Sequence, residues 1–195
     1  GYLTGLARLM ARTPLPAWRA YFRWHLLSHF APYLSKAFVD EHFAFYGTAL
    51  RGTPRNRDRW MRGVELVDRA LGEGLGRLYV ARHFPPASKA RVEALVANVL
   101  AAYHDDVATL DWMGEATRLK ALDKLGKITV KIGYPVRWRD YGALAIERGD
   151  LVGNVLRAAA FDYDRDLGKL GRPIDRDEWE MTPQTLNAYN NPERN

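Results

Sequence analysis

The sequence predicts a mainly α-helical protein with an extended, strand-like segment near its C-terminal end. Apolar residues recur at steps of three and four along the first two-thirds of the chain, which is the repeat of one helix face. From Ile128 onward, short alternating stretches and turn residues replace this repeat. The chain has 195 residues, of which 47% are apolar, so it can form one generous domain or one domain with part of another.

The first two predicted helices lie between Thr13 and Gly47. Thr13 and Pro14 are typical of a helix start, with threonine as the N-cap and proline at the first helical position, and Pro32 stops or kinks this helix. The second helix is expected to end at Gly47 in a left-handed cap, before a turn over residues 51–54. The apolar faces carry Trp18, Phe22, Leu26 and His29 in the first helix, and Leu34, Phe38, His42 and Phe45 in the second.

The third run gives the strongest helical pattern in the chain. Its apolar residues are Trp60, Val64, Val67, Leu71, Leu75 and Leu78. Gly72, Gly74 and Gly76 weaken the second half of this helix, because glycine in a helix interior costs about 0.5–1 kcal/mol relative to alanine. Since these glycines alternate inside a helical run and do not follow a strand, a phosphate-binding loop is not predicted.

Two further helices and a short strand are predicted in the middle of the chain. Apolar spacing outlines a helix over residues 92–110, and a fifth helix over residues 115–125 ends on Gly126. Residues 128–132 alternate between apolar and polar side chains, which predicts a short strand.

Helix returns at Asp150. This residue is predicted to cap a helix from Leu151 to Leu170, which Gly171 closes. Asp175 and Glu178, three residues apart, resemble a capping box, so we expect one or two helical turns directly after Asp175.

The last predicted element is an extended segment over residues 186–189. It alternates around small and aromatic side chains and is bounded by Pro183 and Pro192. Proline lacks the N–H that a central strand must donate, so this pattern favours a strand at the edge of a sheet.

Composition limits the classes of partner. The 29 Lys and Arg against 23 Asp and Glu give a net charge of +6, but acidic residues are interspersed with the basic ones, as in residues 55–59. We interpret these charges as a solvated surface, and nucleic-acid binding is only a distant third hypothesis. The absence of cysteine excludes disulfides and thiolate chemistry, and no apolar run approaches the ~18 residues of a membrane span.

No catalytic or metal-binding residue is predicted within this chain. His25 and His29 have the spacing of a zinc-binding helix, but Leu26 stands where hydrolysis requires a glutamate. Two neutral histidines alone rarely hold zinc, and we expect this pair to pack with Trp24 and Phe30. The other histidines and the paired acids are interpreted as packing or surface residues.

A series of short motifs extends along nearly the whole chain. The motifs occupy residues 43–47, 50–52, 59–60, 71–73, 78–80, 84–85, 110–113, 124–125, 132–135, 138–141, 150–154 and 179–189. Each motif alone is weak, but their shared order is specific. Together they resemble the neprilysin family of neutral endopeptidases, which includes endothelin-converting enzymes and bacterial oligopeptidases.

This resemblance implies a two-lobed zinc metallopeptidase whose lobes enclose a water-filled cavity. One lobe carries a zinc-binding His-Glu-x-x-His helix, and the other covers the site and restricts it to short peptides. By resemblance, residues 1–149 form the multi-helical covering lobe and its connections. Residues 150–195 form a crossover helix and the first, strand-containing part of the catalytic lobe.

The resemblance also implies a substrate-binding role for Asn187 and Ala188. These residues match the family's Asn-Ala motif, in which the asparagine side chain and the alanine carbonyl hold the backbone of the substrate. An edge strand suits this role, because an extended peptide can add to it as another strand. The alternative is a purely structural edge strand. Asn190 stands where family members usually have a second tyrosine, so packing beyond the strand is expected to differ.

The zinc ligands and the catalytic glutamate of the family are expected beyond Asn195. Zinc would therefore be bound in the parent enzyme by residues outside this chain, and this chain alone should be inactive. Its partners would be short peptide substrates and the remaining C-terminal catalytic part of the same protein. The alternative function is a non-catalytic, neprilysin-like module that binds peptides. The cysteine-free composition fits a bacterial member, for which a periplasmic or secreted location is suspected.

Overall fold

The computed structural model describes residues 1–191 and consists mainly of α-helices. The helices within these residues are α1 (Tyr2–Arg12), α2 (Leu15–Phe30), α3 (Lys36–His42), α4 (Arg59–His83), α5 (Pro86–Thr109), α6 (Glu115–Gly126) and α7 (Leu151–Leu167). A 3₁₀ turn over Ala31–Tyr33 follows α2, and a π-helical segment over Phe43–Ala49 follows α3. The predicted mainly α fold class is confirmed. No helix in the described part of the chain combines the length and the apolar character needed to cross a bilayer.

Two compact units make up the chain. The first contains residues 1–62 and 146–157, and the second contains residues 63–145 and the chain from Ala158 onward. Two of the three boundaries between these stretches fall inside helices, namely α4 and α7, and the third falls between Ala145 and Ile146 in the chain before α7. The functional division predicted between residues 149 and 150 concerns lobes of a larger protein and stays a prediction.

In the first unit, Thr13 closes α1 instead of capping α2. Its N–H and its Oγ1 both donate to the carbonyl oxygen of Leu9, at 3.0 and 2.8 Å. Pro14 is the N-cap residue of α2. The helix predicted here is therefore present, but its cap was misassigned because α1, whose apolar side chains are largely exposed, was not predicted.

The prediction of a left-handed cap at Gly47 is wrong. Gly47 is buried inside the π-helical segment, where a Cβ atom would collide with the ring of Phe43. The left-handed residue is Gly52, at φ 67°, and the N–H of Thr53 donates to the carbonyl of Gly47 at 3.0 Å. The left-handed residue thus lies five residues beyond the predicted cap and inside the turn predicted over residues 51–54, because a π-helical segment continues the helix past Gly47.

Asp150 caps α7, as predicted. Its Oδ1 accepts a hydrogen bond from the N–H of Gly153 at 3.0 Å, and its Oδ2 lies 3.0 Å from a guanidinium nitrogen of Arg157. The Gly153 bond first, and the Arg157 bond second, hold the pKa of Asp150 below its ordinary value. At its other end α7 stops at Leu167, before the left-handed Gly171 at φ 74°.

In the second unit, residues 128–132 do not form the predicted strand. Their backbone is irregular, and hydrogen bonds from lysine side chains connect this part of the chain to the rest of the unit. Lys131 Nζ donates to the carbonyl of Glu178 at 2.7 Å, and Lys89 Nζ donates to the carbonyl of Tyr134 at 2.8 Å. The alternation does not mark a buried apolar side, because Ile128 and Val130 are 40% and 43% exposed while Thr129 and Lys131 are partly buried, and no strand pairs with them in the described residues.

On one face of helix α4, which we call the glycine face, Gly72 and Gly76 contact residues 182–184. Gly72 and Gly76, one helical turn apart, are buried. A Cβ atom on Gly72 would lie 2.5 Å from Thr182 Cγ2, and one on Gly76 would lie 2.7 Å from Pro183 Cδ. The helix also bends at Leu71, where φ is −134°. Only glycine at both positions lets residues 182–184 approach the helix backbone this closely.

The glycine face predicts opposite effects for two substitutions in α4. Gly76→Ala should lower the free energy of unfolding by about 1–3 kcal/mol, because the added methyl overpacks against Pro183. Gly63→Ala, in the same helix but facing open space, should raise it by about 0.5–1 kcal/mol through the better helix propensity of alanine. Thermal or urea unfolding measures both. Equal effects of the two variants would contradict the proposed packing.

Candidate functional site

The two predicted site residues, Asn187 and Ala188, lie on an exposed segment just after the residues docked on α4. Two successive turns form this segment. The N–H of Thr185 donates to the carbonyl of Thr182 at 3.0 Å, and the N–H of Asn187 donates to the carbonyl of Thr185 at 3.1 Å. Leu186 is fully exposed between them. The turns therefore present Asn187 and Ala188 at the surface of the second unit.

Asn187 and Ala188 leave a side-chain donor and a backbone acceptor unpaired on neighbouring residues. Asn187 Oδ1 accepts a hydrogen bond from the N–H of Ala188 at 2.8 Å, which fixes the side-chain amide next to the backbone. Within residues 1–191, Asn187 Nδ2 and the carbonyl oxygen of Ala188 have no hydrogen-bond partner. A donor beside an acceptor complements the C=O and N–H groups of an extended peptide backbone.

The segment is also held on its far side. The N–H of Glu180 donates to the hydroxyl of Tyr189 at 3.3 Å, and Asn191 Nδ2 donates to Glu180 Oε1 at 2.6 Å. Residues 189–191 therefore fold back toward Glu180. The strand predicted for residues 186–189 has no partner strand within the described residues, and Pro192, its predicted boundary, lies outside them. The edge strand stays a prediction.

An ion-pair cluster fixes the chain immediately before the segment. Glu178 Oε1 lies 2.6 Å from Arg165 Nη1 and 2.6 Å from Lys169 Nζ. Burial by itself would raise the pKa of Glu178, but the hydrogen bonds from Lys169 and Arg165 outweigh it and lower the pKa to about 2. Glu178 is thus a carboxylate throughout the physiological range and ties the segment to the end of α7.

This cluster corrects the predicted capping box. Asp175 Oδ1 does accept from the N–H of Asp177 at 3.0 Å, and the N–H of Glu178 closes a single turn on the carbonyl of Asp175 at 3.3 Å. The side chain of Glu178, however, points to Arg165 and not back to Asp175. A longer-range ion pair therefore replaces the reciprocal bond of a capping box, and no regular helix forms there.

A second polar cluster holds the loop around residue 140 against α4. Glu73 Oε2 accepts from the N–H of Arg139 at 2.7 Å, while the Arg139 guanidinium reaches Asp162 at 3.2 Å. The hydroxyl of Tyr141 accepts from the N–H of Glu73 at 3.2 Å, and burial raises the pKa of Tyr141. These residues link α4 to α7 within the second unit. The glycines of α4 and the Glu178 cluster at the end of α7 are therefore held in fixed positions relative to each other.

Sequence reasoning did not identify the contact between Asp68 and Gln184, which holds the chain three residues before Asn187. Gln184 Nε2 donates to Asp68 Oδ1 and, at 3.0 Å, to the carbonyl of Gly72. Asp68 and Gln184 are 116 residues apart in sequence. No local pattern could have paired them; the glycines of α4 are a local signal of close packing, but the sequence analysis interpreted them only as weakening the helix.

The histidines do not form a metal site in the described part of the chain. His25 and His29 are both exposed; the ring centroid of His25 lies 4.2 Å from that of Tyr21, and that of His29 lies 5.0 Å from that of Phe30. His29 therefore contacts Phe30 as expected, while Trp24 is 59% exposed and does not bury the pair. No group of three or more potential ligands exists within residues 1–191, so these residues do not fit a zinc centre.

Comparisons with known proteins place these features in a family context. The sequence profile of Peptidase family M13 matches residues 1–135. The zinc metalloprotease Zmp1 of Mycobacterium tuberculosis, solved in complex with an inhibitor, is 51% identical, and the two folds superpose over 98% of this chain with a TM-score of 0.89. Neprilysin-3 of Drosophila melanogaster is 29% identical over 184 residues, and endothelin-converting enzyme 1 of Cavia porcellus is 30% identical over 205 residues.

The chain corresponds to only part of each of these proteins. It spans 29% of the Zmp1 chain, 23% of neprilysin-3 and 27% of endothelin-converting enzyme 1. The alignments nevertheless cover 90% of this chain for neprilysin-3 and all of it for endothelin-converting enzyme 1. The similarity therefore extends to both units. The alignment with endothelin-converting enzyme 1, which covers the whole chain, also includes the exposed Asn187-Ala188 segment.

The Glu178 cluster predicts a specific dependence of stability on pH. Because the folded-state pKa is about 2 and the ordinary value is 4.5, the contribution of Glu178 is complete above pH 4.5 and is lost as the pH falls toward 2. Glu178→Gln should lower the free energy of unfolding by about 1–3 kcal/mol at pH 6. The difference from the wild type should shrink as the pH approaches 2, as measured by urea unfolding.

Asp175→Asn provides the matched control for this prediction. Asp175 pairs with Arg137, whose side chain is 82% exposed, and such surface pairs contribute about 0–1 kcal/mol. The amide of asparagine can keep the turn bond to residue 177. A Glu178→Gln difference that stayed constant between about pH 2.5 and pH 6, or one no larger than that of the control, would argue against the cluster as an anchor.

Proposed function

This chain belongs to peptidase family M13, and from that membership we propose that it is part of a zinc-dependent metalloendopeptidase that hydrolyses peptide bonds in short peptides. The neprilysin-like resemblance of the motifs is confirmed by the family profile and by the relatives. Zmp1 is a zinc metalloprotease by name, which supports the reaction class. In this proposal residues 1–149 belong to the lobe that covers the cavity, and residues 150–195 begin the catalytic lobe.

Asn187 and Ala188 are proposed to hold the backbone of the substrate. The observation that carries this role is the exposed pair formed by Asn187 Nδ2 and the carbonyl of Ala188, which lack partners among residues 1–191. Asn187 would donate to a substrate carbonyl, and Ala188 would accept from a substrate N–H. Because these bonds involve only the peptide backbone, they bind many sequences in one extended orientation.

Zinc is proposed to be bound by residues of the parent enzyme that lie outside this chain. The family resemblance supports this proposal, and no group of three or more potential metal ligands is found within residues 1–191. When bound, zinc in such enzymes polarises the scissile carbonyl and activates a water molecule. The contribution of this chain is to bind and orient the peptide and to exclude bulk water, so the chain alone should be inactive.

A non-catalytic peptide-binding module is the alternative function. It is favoured by one observation, namely that the donor and acceptor at residues 187 and 188 require no metal to bind a peptide backbone. The two functions differ in their need for zinc. Turnover that chelators abolish supports the peptidase, while binding without turnover supports the module.

Substitution of Asn187 tests the proposed function in the full-length protein encoded by the gene. We expect the wild type to cleave short fluorogenic peptides in a zinc-dependent manner. Asn187→Ala should lower kcat/KM by about tenfold, since a lost hydrogen bond to the substrate contributes about 1–1.5 kcal/mol. The free energy of unfolding should hardly change, because Asn187 is exposed.

Asn98→Ala is the control, because Asn98 is an exposed asparagine on α5 and is remote in sequence from the segment. It should leave kcat/KM unchanged. A full-length protein that shows no zinc-dependent cleavage would exclude the peptidase. Cleavage to which Asn187→Ala makes no difference would exclude the assigned role of the Asn187-Ala188 segment.

A further inference from the structure

We propose that Asp68 and Gln184 act as a positioning pair that sets the register of the peptide-binding segment. This inference rests on the proposed function of Asn187 and Ala188. Gln184 lies three residues before Asn187, and its amide reaches across to α4, where it meets Asp68 and the carbonyl of Gly72. Both residues lie outside the Asn187-Ala188 segment and hold the chain before it, so in this proposal both act through the segment.

The amide of Gln184 has one orientation that its neighbours permit. Asp68 Oδ1 and the Gly72 carbonyl are both acceptors, so the side facing them must be the NH₂ group. The opposite side, Oε1, would lie 2.8 Å from a Cβ atom on Gly76, which shows how closely it approaches the glycine face. Position 184 therefore supplies a donor to α4, which a glutamate carboxylate would not, while Gln184 Oε1 is buried without a hydrogen-bond partner among the described residues.

Asp68 holds the docked stretch 182–184 through its hydrogen bonds with Thr182 and Gln184. Besides Gln184, it accepts a weaker bond from Thr182 Oγ1 at 3.5 Å, and Thr182 in turn lies 2.9 Å from Thr185 Oγ1. The carboxylate thus anchors both ends of the docked stretch 182–184. From there, two turns of backbone hydrogen bonds lead directly to Asn187.

The glycine face makes the position of residues 182–184 depend on this pair. Because Gly72 and Gly76 have no side chains, the docked stretch has no apolar side chain of α4 to lock into at these two positions, and its position along the helix axis depends on directed hydrogen bonds. A shift of the stretch along α4 would move Asn187 Nδ2 and the Ala188 carbonyl together. Peptide binding would suffer, while the chemical step would not.

Gln184→Glu in the full-length protein tests this inference. The variant is nearly isosteric, but it replaces the donor with a negative charge that faces Asp68 and the Gly72 carbonyl. We expect KM for a short fluorogenic peptide to rise about tenfold, with kcat changed by less than about threefold, because only ground-state and transition-state binding through the segment is lost. Adding Asp68→Asn to this variant should lower KM again, since the amide introduced on α4 can donate to the carboxylate introduced on the segment.

Gln184→Met and Asn98→Asp complete the set. Gln184→Met removes both hydrogen bonds without adding a charge. We expect the same rise in KM, and this variant tests the positioning role if Gln184→Glu fails to fold. Asn98→Asp adds a charge on exposed α5 and should leave KM and kcat unchanged. Folded Gln184→Glu and Gln184→Met variants that both keep the KM of the wild type overturn the inference, and Gln184→Met alone decides if Gln184→Glu does not fold.

The outcomes separate this inference from the function on which it rests. If the wild type cleaves peptides and Asn187→Ala is impaired while both Gln184 variants keep the KM of the wild type, only the positioning role fails. If the wild type shows no zinc-dependent cleavage, or Asn187→Ala has no effect, the proposed function itself fails. A loss of kcat at unchanged KM in Gln184→Glu would also overturn positioning, because it would place the effect on the chemical step.

Discussion

The close approach of residues 182–184 to the glycine face of α4 is the constraint on which the candidate site depends. Gly72 and Gly76 are buried, and a methyl group at either position would lie within 2.7 Å of the docked stretch. Glycine weakens a helix, and α4 indeed bends at Leu71. The cost in helix stability is offset by a site where the side chains of residues 182–184 can lie directly against the helix backbone.

Polar anchors then decide where the docked stretch sits. Gln184 bonds to α4 through Asp68 and Gly72, and Glu178 bonds to Arg165 and Lys169 at the end of α7. Both contacts are partly buried, so they are screened less than the exposed ion pairs elsewhere in the chain, whose contribution is about 0–1 kcal/mol. The second unit thus positions an exposed stretch by fixed contacts on both sides, which is what a peptide-binding edge requires.

Sequence patterns predicted the parts of the fold that depend on local chemistry. Asp150 caps α7 because an acidic side chain can reach the N–H of Gly153, and α4, α5 and α6 follow their apolar repeats. Prediction failed where a distant partner competes with a local one. Glu178 leaves the predicted capping box for Arg165, and residues 128–132 attach through Lys131 instead of strand pairing. Asn187 and Ala188 came from family resemblance alone, and Gln184 could not be predicted because its partner Asp68 is 116 residues away.

The central claim is that the Asn187-Ala188 segment is the surface on which a zinc peptidase holds its substrate backbone. The most direct measurement is a structure of the full-length protein with a non-hydrolysable peptide analogue. We expect Asn187 Nδ2 and the Ala188 carbonyl oxygen to lie about 2.7–3.2 Å from a carbonyl oxygen and an amide nitrogen of the bound peptide. A peptide bound elsewhere, or a segment whose donor and acceptor pair with another part of the protein, would contradict the claim.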